Sequence, residues 1–210
     1  MSLVHKIQFQ YSNKFTILKK VYNNIITKSN DDILKDGFNN FKGDITKDII
    51  WTWVINDISY KLFQDFFEEI NLINNLNSLF DNEFKILGIS FITLNKKEIL
   101  DKDTSFHFDI LSPYDLKDKT NILTVLLPLE FTKEMGGLEY IENDKIHKYQ
   151  YKFYEYIVFD SSKVEHRTMP FKYNGEKTRV LISVNLSSDI EWAMNATKDN
   201  TKHQGNLFTI

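Results

Sequence analysis

The chain has 210 residues, 42% of them hydrophobic and 17 of them phenylalanine, the size and composition of one globular domain rather than of a disordered segment. Its formal charge of −3 supplies no general field for nucleic acid, and the lack of cysteine removes disulfides, thiolate metal sites and a cysteine nucleophile. The opening Met1-Ser2-Leu3-Val4-His5-Lys6 lacks the apolar core of a signal peptide and no apolar run reaches the length of a membrane span, so a soluble cytoplasmic protein is expected, with no membrane partner.

Residues 1–83 read as mainly helical. Lys14 to Ile26 carries a weak helical period, and Trp51 and Trp53 between the helical regions read as core anchors. From Asp57, a plausible N-cap, the apolar residues Ile58, Leu62, Phe63, Phe66, Phe67, Ile70 and Ile73 recur at helical steps, with Asp65, Glu68 and Glu69 as the wet positions.

From about residue 84 the texture changes to short β-branched or aromatic runs, at 84–94, 105–110, 121–129, 137–141, 149–153, 156–159 and 178–186. Turn signals such as Asn143-Asp144 and Asn174-Gly175 separate them. Many short strands with no helices between them predict a sandwich or jelly roll. The expected class is therefore mainly β with N-terminal helices (α+β), in one domain. A helical support at 1–83 precedes a jelly-roll core at 84–187 and a polar surface tail at 188–210, on which Trp192 and Phe208 are docking candidates.

Three segments carry chemistry. His107-Phe108-Asp109 lies in one β run, His166 follows the buried-strand pattern at 156–160 and its turn, and Arg179 comes thirteen residues later. Side chains alternate across a strand, so His107 and Asp109 share a face, while Phe106, Phe108 and Ile110 point to the opposite layer. Two histidines and one carboxylate are the donor set of a non-haem Fe(II) facial triad with an open coordination face. An arginine on the next strand suits a dicarboxylate co-substrate, because its planar fork binds a carboxylate bidentately. Of the 26 basic residues only Arg167 and Arg179 are arginine, so arginine stands where lysine would serve for a generic charge. In the last strand Val180, Ile182, Val184 and Leu186 make an apolar face, and Arg179, Leu181, Ser183 and Asn185 a mixed one; a polar face between two sheets is expected to meet a ligand.

Plainer readings stay open from the residues alone. His107 and Asp109 also fit the wet face of an edge strand, His166 fits a loop, and Arg179 fits a pair with Asp160 or Glu176. His147 sits in a lysine-rich turn and reads as solvated, His5 and His203 lie near the termini, and Glu139 and Glu142 read as structural.

With these residues in view, the C-terminal half resembles the 2-oxoglutarate/Fe(II)-dependent oxygenases, including prolyl-hydroxylase-like members with a double-stranded β-helix (cupin-like) core. The matching segments are Ser105 to Ile110, Gly136 to Tyr140, Val158 to Asp160 with His166, and Lys177 to Leu186. The resemblance implies His107, Asp109 and His166 as iron ligands and Arg179 as the holder of the distal carboxylate of 2-oxoglutarate. The family often has a hydroxyl two residues after that arginine, where this chain has Leu181; Ser183, Thr93, Tyr114 and Thr124 are the candidate replacements, and Lys177 is a reserve cation. The implied cofactors are Fe(II), 2-oxoglutarate and O2, with release of succinate and CO2. The implied reaction is hydroxylation, demethylation or desaturation of an amino acid, a peptide or another small molecule, and not halogenation, since related halogenases lack the carboxylate present here as Asp109. Nucleic acid is not an expected partner of a slightly acidic, arginine-poor chain. The alternatives are a cupin-like metal- or small-molecule-binding protein without oxygenase activity, and an Fe(II) oxygenase that does not use 2-oxoglutarate.

Overall fold

A computed structural model describes residues 2–42, 48–112 and 119–206. In chain order its elements are β1 (Val4–Gln8), α1 (Asn13–Ile25), α2 (Asn30–Lys35), β2 (Phe38–Lys42), β3 (Ile49–Val54), α3 (Asp57–Glu69), α4 (Leu72–Phe80), β4 (Lys85–Leu94), β5 (Glu98–Ile99) and β6 (Ile122–Glu130). They continue with β7 (Leu138–Glu142), β8 (Lys145–Tyr149), β9 (Glu155–Asp160), β10 (His166–Thr168), β11 (Phe171–Lys172), β12 (Arg179–Ser187) and α5 (Glu191–His203). No helix among the described residues is long and apolar enough to cross a membrane.

The architecture is a three-layer stack. A seven-stranded antiparallel sheet in the order β1-β9-β6-β12-β4-β3-β2 forms the middle layer. On one face α1, α3 and α4 pack Phe15, Leu18, Phe63, Phe66 and Leu76 against Val180, Ile182 and Val184 of β12. Across the other face lies the small sheet β10-β7-β8, whose Leu138, Tyr140 and Tyr149 meet Leu126, Ile157, Phe159 and Leu181. The two faces of β12 divide as alternation requires, the apolar one toward the helices and the mixed one toward the small sheet. A mainly β, jelly-roll-like core with N-terminal helices is thus the observed class.

Several local expectations are corrected. The region before residue 84 supplies three strands of the main sheet as well as its helices. Ile49–Val54 is β-branched and aromatic throughout, and it pairs with β4 and β2, so Trp51 and Trp53 are strand residues. Trp53 is fully buried, as a core anchor should be, whereas Trp51 is only half-buried. The cap of α3 is Asn56, whose Oδ1 accepts from the Ser59 amide at 3.0 Å, with Asp57 already in the first turn. Ile58 is 78% exposed and not on the buried face. Asn71 takes a left-handed φ of 54° and splits the periodic run into α3 and α4.

In the β half, Asn143 and Asp144 both have positive φ and close a tight β7–β8 hairpin. The strand expected at 149–153 therefore lies earlier, at Lys145–Tyr149. Residues 105–110 do not form a strand; they bend, joined to β10 by one bridge between His107 and His166. The polar tail contains α5, because Ala193, Thr197 and Thr201, spaced four apart, give it a small-residue face that buries against the sheet. Trp192 packs beside Ile110 and Ile122, while Phe208 lies outside the described residues. Gly137 permits the close approach of β7 and β8, since a Cβ there would stand 1.9 Å from the Tyr149 carbonyl oxygen.

Candidate metal centre

His107, Asp109 and His166 converge between the two sheets, with one ligand atom of each lying within 4.8 Å of the others. Asp109 Oδ1 is 3.3 Å from His166 Nε2 and 3.9 Å from His107 Nε2. Their local supports differ in kind. His166 opens β10 and is buried on the Phe159 ring, with centroids 4.5 Å apart. His107 is half-exposed and reaches its place through paired backbone bonds with His166, at 3.1 and 2.9 Å.

Each imidazole has its outer nitrogen at a backbone carbonyl. His107 Nδ1 lies 3.0 Å from the Ser105 oxygen and His166 Nδ1 3.2 Å from the Val164 oxygen. A carbonyl only accepts, so both Nδ1 atoms carry the proton and both Nε2 lone pairs face Asp109. This is the outer-shell arrangement that orients metal-binding histidines. Asp109 is steered likewise, for Thr124 Oγ1 donates to its Oδ2 at 2.9 Å and leaves Oδ1 toward the histidines. Burial works against the Asp109 charge, but His166, His107 and the Thr124 bond outweigh it and hold the carboxyl below the usual range. Burial likewise opposes protonation of His166, and the facing Asp109 with the Val164 carbonyl overcomes it and raises that imidazole. The Asp109 carboxylate thus favours positive charge at its histidine neighbours, a charge that a divalent cation can supply in place of a proton.

A cavity of about 210 Å³ links this cluster to Arg179. Arg179 is 4% exposed, and its Nη2 donates to Thr168 Oγ1 at 3.3 Å. Its Nε and Nη1 have no hydrogen-bond partner among the described residues. No carboxylate forms an ion pair with it there, so the alternative pairing with Asp160 or Glu176 is not realised. Burial pushes its pKa down, yet a guanidinium keeps its charge at neutral pH. A buried cation with two orphaned donors is costly unless an anion joins it.

The candidates for a second carboxylate contact sort by face. Ser183 lines the same cavity. Thr93 does not; it is bonded to the Tyr22 hydroxyl at 2.9 Å on the helix side of the sheet. Thr124 is committed to Asp109 and to Ser161, Tyr114 lies outside the described residues, and Lys177 is exposed ahead of β12. Two neighbours of Arg179 were not legible in the sequence: Thr168, and Tyr151, whose ring centre lies 5.7 Å from the guanidinium carbon. Both come from the small sheet and its flank, and only tertiary folding sets them opposite β12.

The second arginine anchors the segment that carries His107. Arg167 Nε donates to Glu139 at 2.7 Å, Nη2 meets Asp101 at 2.8 Å, Nη1 reaches the Thr104 carbonyl at 3.4 Å, and the guanidinium lies 4.6 Å from the Phe106 ring centre. It ties residues 101–106 to the small sheet and confirms the structural reading of Glu139. Replacing Arg167 by alanine is expected to weaken Ni(II) binding roughly tenfold, as loss of supporting interactions around a metal does. Calorimetric titration of the folded variant checks this, and unchanged affinity would show that His107 needs no such anchor.

No protein-family model and no curated protein matches the chain. Solved structures do. HygX from Streptomyces hygroscopicus, with nickel, 2-oxoglutarate and hygromycin B bound, superposes at TM-score 0.61 with 8% identity over 90% of this chain and 84% of that one. A viral collagen prolyl hydroxylase from Paramecium Bursaria Chlorella virus-1, in its 2-oxoglutarate complex, gives 0.54 and 13% over 89% and 97%. A Pseudomonas putida prolyl-4-hydroxylase gives 0.54 and 12% over 90% and 94%. At such identities the likeness is one of fold: the chain has the fold of 2-oxoglutarate/Fe(II)-dependent oxygenases.

Proposed function

We propose that this chain is an Fe(II)- and 2-oxoglutarate-dependent dioxygenase that hydroxylates an unactivated C–H bond of a small molecule or peptide. Nε2 of His107, Nε2 of His166 and Oδ1 of Asp109 hold the metal, and Arg179 holds the distal carboxylate of the keto acid. The bound iron, with 2-oxoglutarate and O2, supplies the oxidising power: substrate C–H, O2 and 2-oxoglutarate become C–OH, succinate and CO2. The fold shared with HygX and with the prolyl hydroxylases supports this reading. The observation that carries it is Arg179, a buried cation with two unpartnered N–H groups in the same cavity as a His-Asp-His cluster.

The protein's own tasks follow from the cavity. Thr124, and the carbonyls of Ser105 and Val164, hold the three ligand side chains in one protonation state and one orientation. Arg179 and Thr168 position the co-substrate by its far end, and Leu126, Leu138, Phe159 and Leu181 keep the space between dry. A cupin-like binder would need the triad but has no use for an uncompensated arginine beside it. Anaerobic addition of 2-oxoglutarate to the Fe(II)-loaded protein is expected to raise a weak visible charge-transfer band. With Fe(II) bound and no band, the keto-acid assignment fails and a metal-binding protein or another kind of Fe(II) oxygenase remains.

A further inference from the structure

The cavity has a second wall that the triad and Arg179 do not use. The floor is built in register: Trp51 on β3 pairs with Ile92 on β4, Ile92 with Leu181 on β12, and Asn185 with Thr124 on β6. Asn185 therefore stands next to the residue that holds Asp109. Above the β3–β4 side lies α5, pinned where the Trp53 indole donates to the Gln204 carbonyl at 2.6 Å. Asn200 and Gln204 of this end line the cavity together with Trp51 and Asn185.

The chemistry of this wall is uniform. None of the three amide side chains has a hydrogen-bond partner among the described residues, although Asn185 is only 8% exposed. Among the described residues, the charged or titratable groups lining this cavity, Tyr151 aside, are His107, Asp109, His166 and Arg179, all assigned to metal and co-substrate, while Asp48, Lys96 and Asp103 line an adjoining pocket that shares His107 and Thr168. A charged substrate group set against the amide wall would meet no counter-charge among the described residues of that wall. Hydroxyl groups both donate and accept and so satisfy either end of an amide, while the Trp51 ring offers an apolar face to a ring's C–H side. The cavity is shared with the co-substrate and adjoins a second pocket through Ile49, Leu94, His107 and Thr168.

We propose that Asn185, Asn200, Gln204 and Trp51 form the substrate-reading wall, and that the substrate is a neutral, hydroxyl-bearing ring compound of the sugar or cyclitol class. This rests on the oxygenase reading, since it takes the charged groups of the cavity to be engaged by metal and 2-oxoglutarate. The test is saturation-transfer NMR on the full chain, metal-free and then loaded with Ni(II) and 2-oxoglutarate. The probes are methyl glycosides of glucose, galactose and mannose, myo-inositol, L-proline, L-lysine, L-glutamate and a Gly-Pro-Pro peptide.

Transfer to at least one neutral polyol is expected. It should weaken roughly tenfold in Asn200→Leu/Gln204→Leu, for two lost hydrogen bonds, with 2-oxoglutarate affinity unchanged; the milder Asn200→Ala serves if the double variant does not fold. Absence of transfer to every polyol, transfer indifferent to these variants, or the strongest response from a charged amino acid or the peptide would overturn the proposal. Polyol binding in a protein that fails to take up 2-oxoglutarate would instead overturn the oxygenase reading and leave this one standing on the binding itself.

Discussion

His166→Ala is expected to abolish Fe(II) binding and, with it, all 2-oxoglutarate turnover, while the fold survives. His166 is the best-anchored member of the cluster: buried, stacked on Phe159, and held at Nδ1 by Val164. Its removal leaves a half-exposed histidine and one carboxylate, too few donors for a stable site. Perturbing supporting groups alone costs about 10- to 100-fold in metal affinity, so loss of a ligand should exceed that. The fold should tolerate the change because β10 is short and the main sheet does not depend on it. His147→Ala is the matched control. That histidine lies in β8, stacked 5.2 Å from Tyr140 rather than fully solvated, and is no part of the cluster. Calorimetry with Ni(II), with circular dichroism as the check on folding, reads both. Metal binding that persists in His166→Ala would mean that the third ligand lies elsewhere.

Arg179→Met is expected to separate co-substrate binding from metal binding. With 2-oxoglutarate present, a buried arginine–carboxylate contact is lost, which costs about 3 kcal/mol, or roughly a hundredfold in affinity. Without ligand the effect on stability reverses, because in the free protein this guanidinium is buried with two donors unpaired. Replacing a poorly compensated buried charge by an apolar side chain of similar reach is neutral or stabilising, by up to roughly 4 kcal/mol. The variant should therefore bind Ni(II) normally, bind 2-oxoglutarate poorly, and unfold in urea no earlier than the parent. Loss of metal binding or a large drop in stability would show Arg179 to be a structural cation. A function-specific arginine is the kind of residue for which the free protein carries a cost.

Much of this site is written in local sequence. The i, i+2 spacing of His107 and Asp109 places two donors side by side even though the segment bends instead of forming a strand. Alternation along Arg179–Ser187 divides that strand into a helix-packed face and a cavity face, as observed. The near-absence of arginine singles out Arg167 and Arg179, and both prove to be used for their geometry: one as a clamp on residues 101–106, the other as a lone buried cation. Elements set by partners were harder. β1 is a strand because the sheet edge at β9 accepts it, and β3 because it pairs on both sides, with β4 and β2; no alternating period announces either.

The sequence by itself determined the chemistry that alternation and side-chain type can carry: two histidines and a carboxylate able to converge, a guanidinium facing the same space, and a β-rich half to hold them. Tertiary structure decided what lies across the gap from those residues. It brought Thr168 and Tyr151 to Arg179 from the small sheet, and it laid α5, whose buried face is built from alanine and threonine, over the main sheet with Asn200 and Gln204 toward the metal cluster. The reason is physical. Periodicity reports which way a side chain points from its own backbone, whereas the occupant of the facing wall depends on how separate elements bury their remaining apolar surface together.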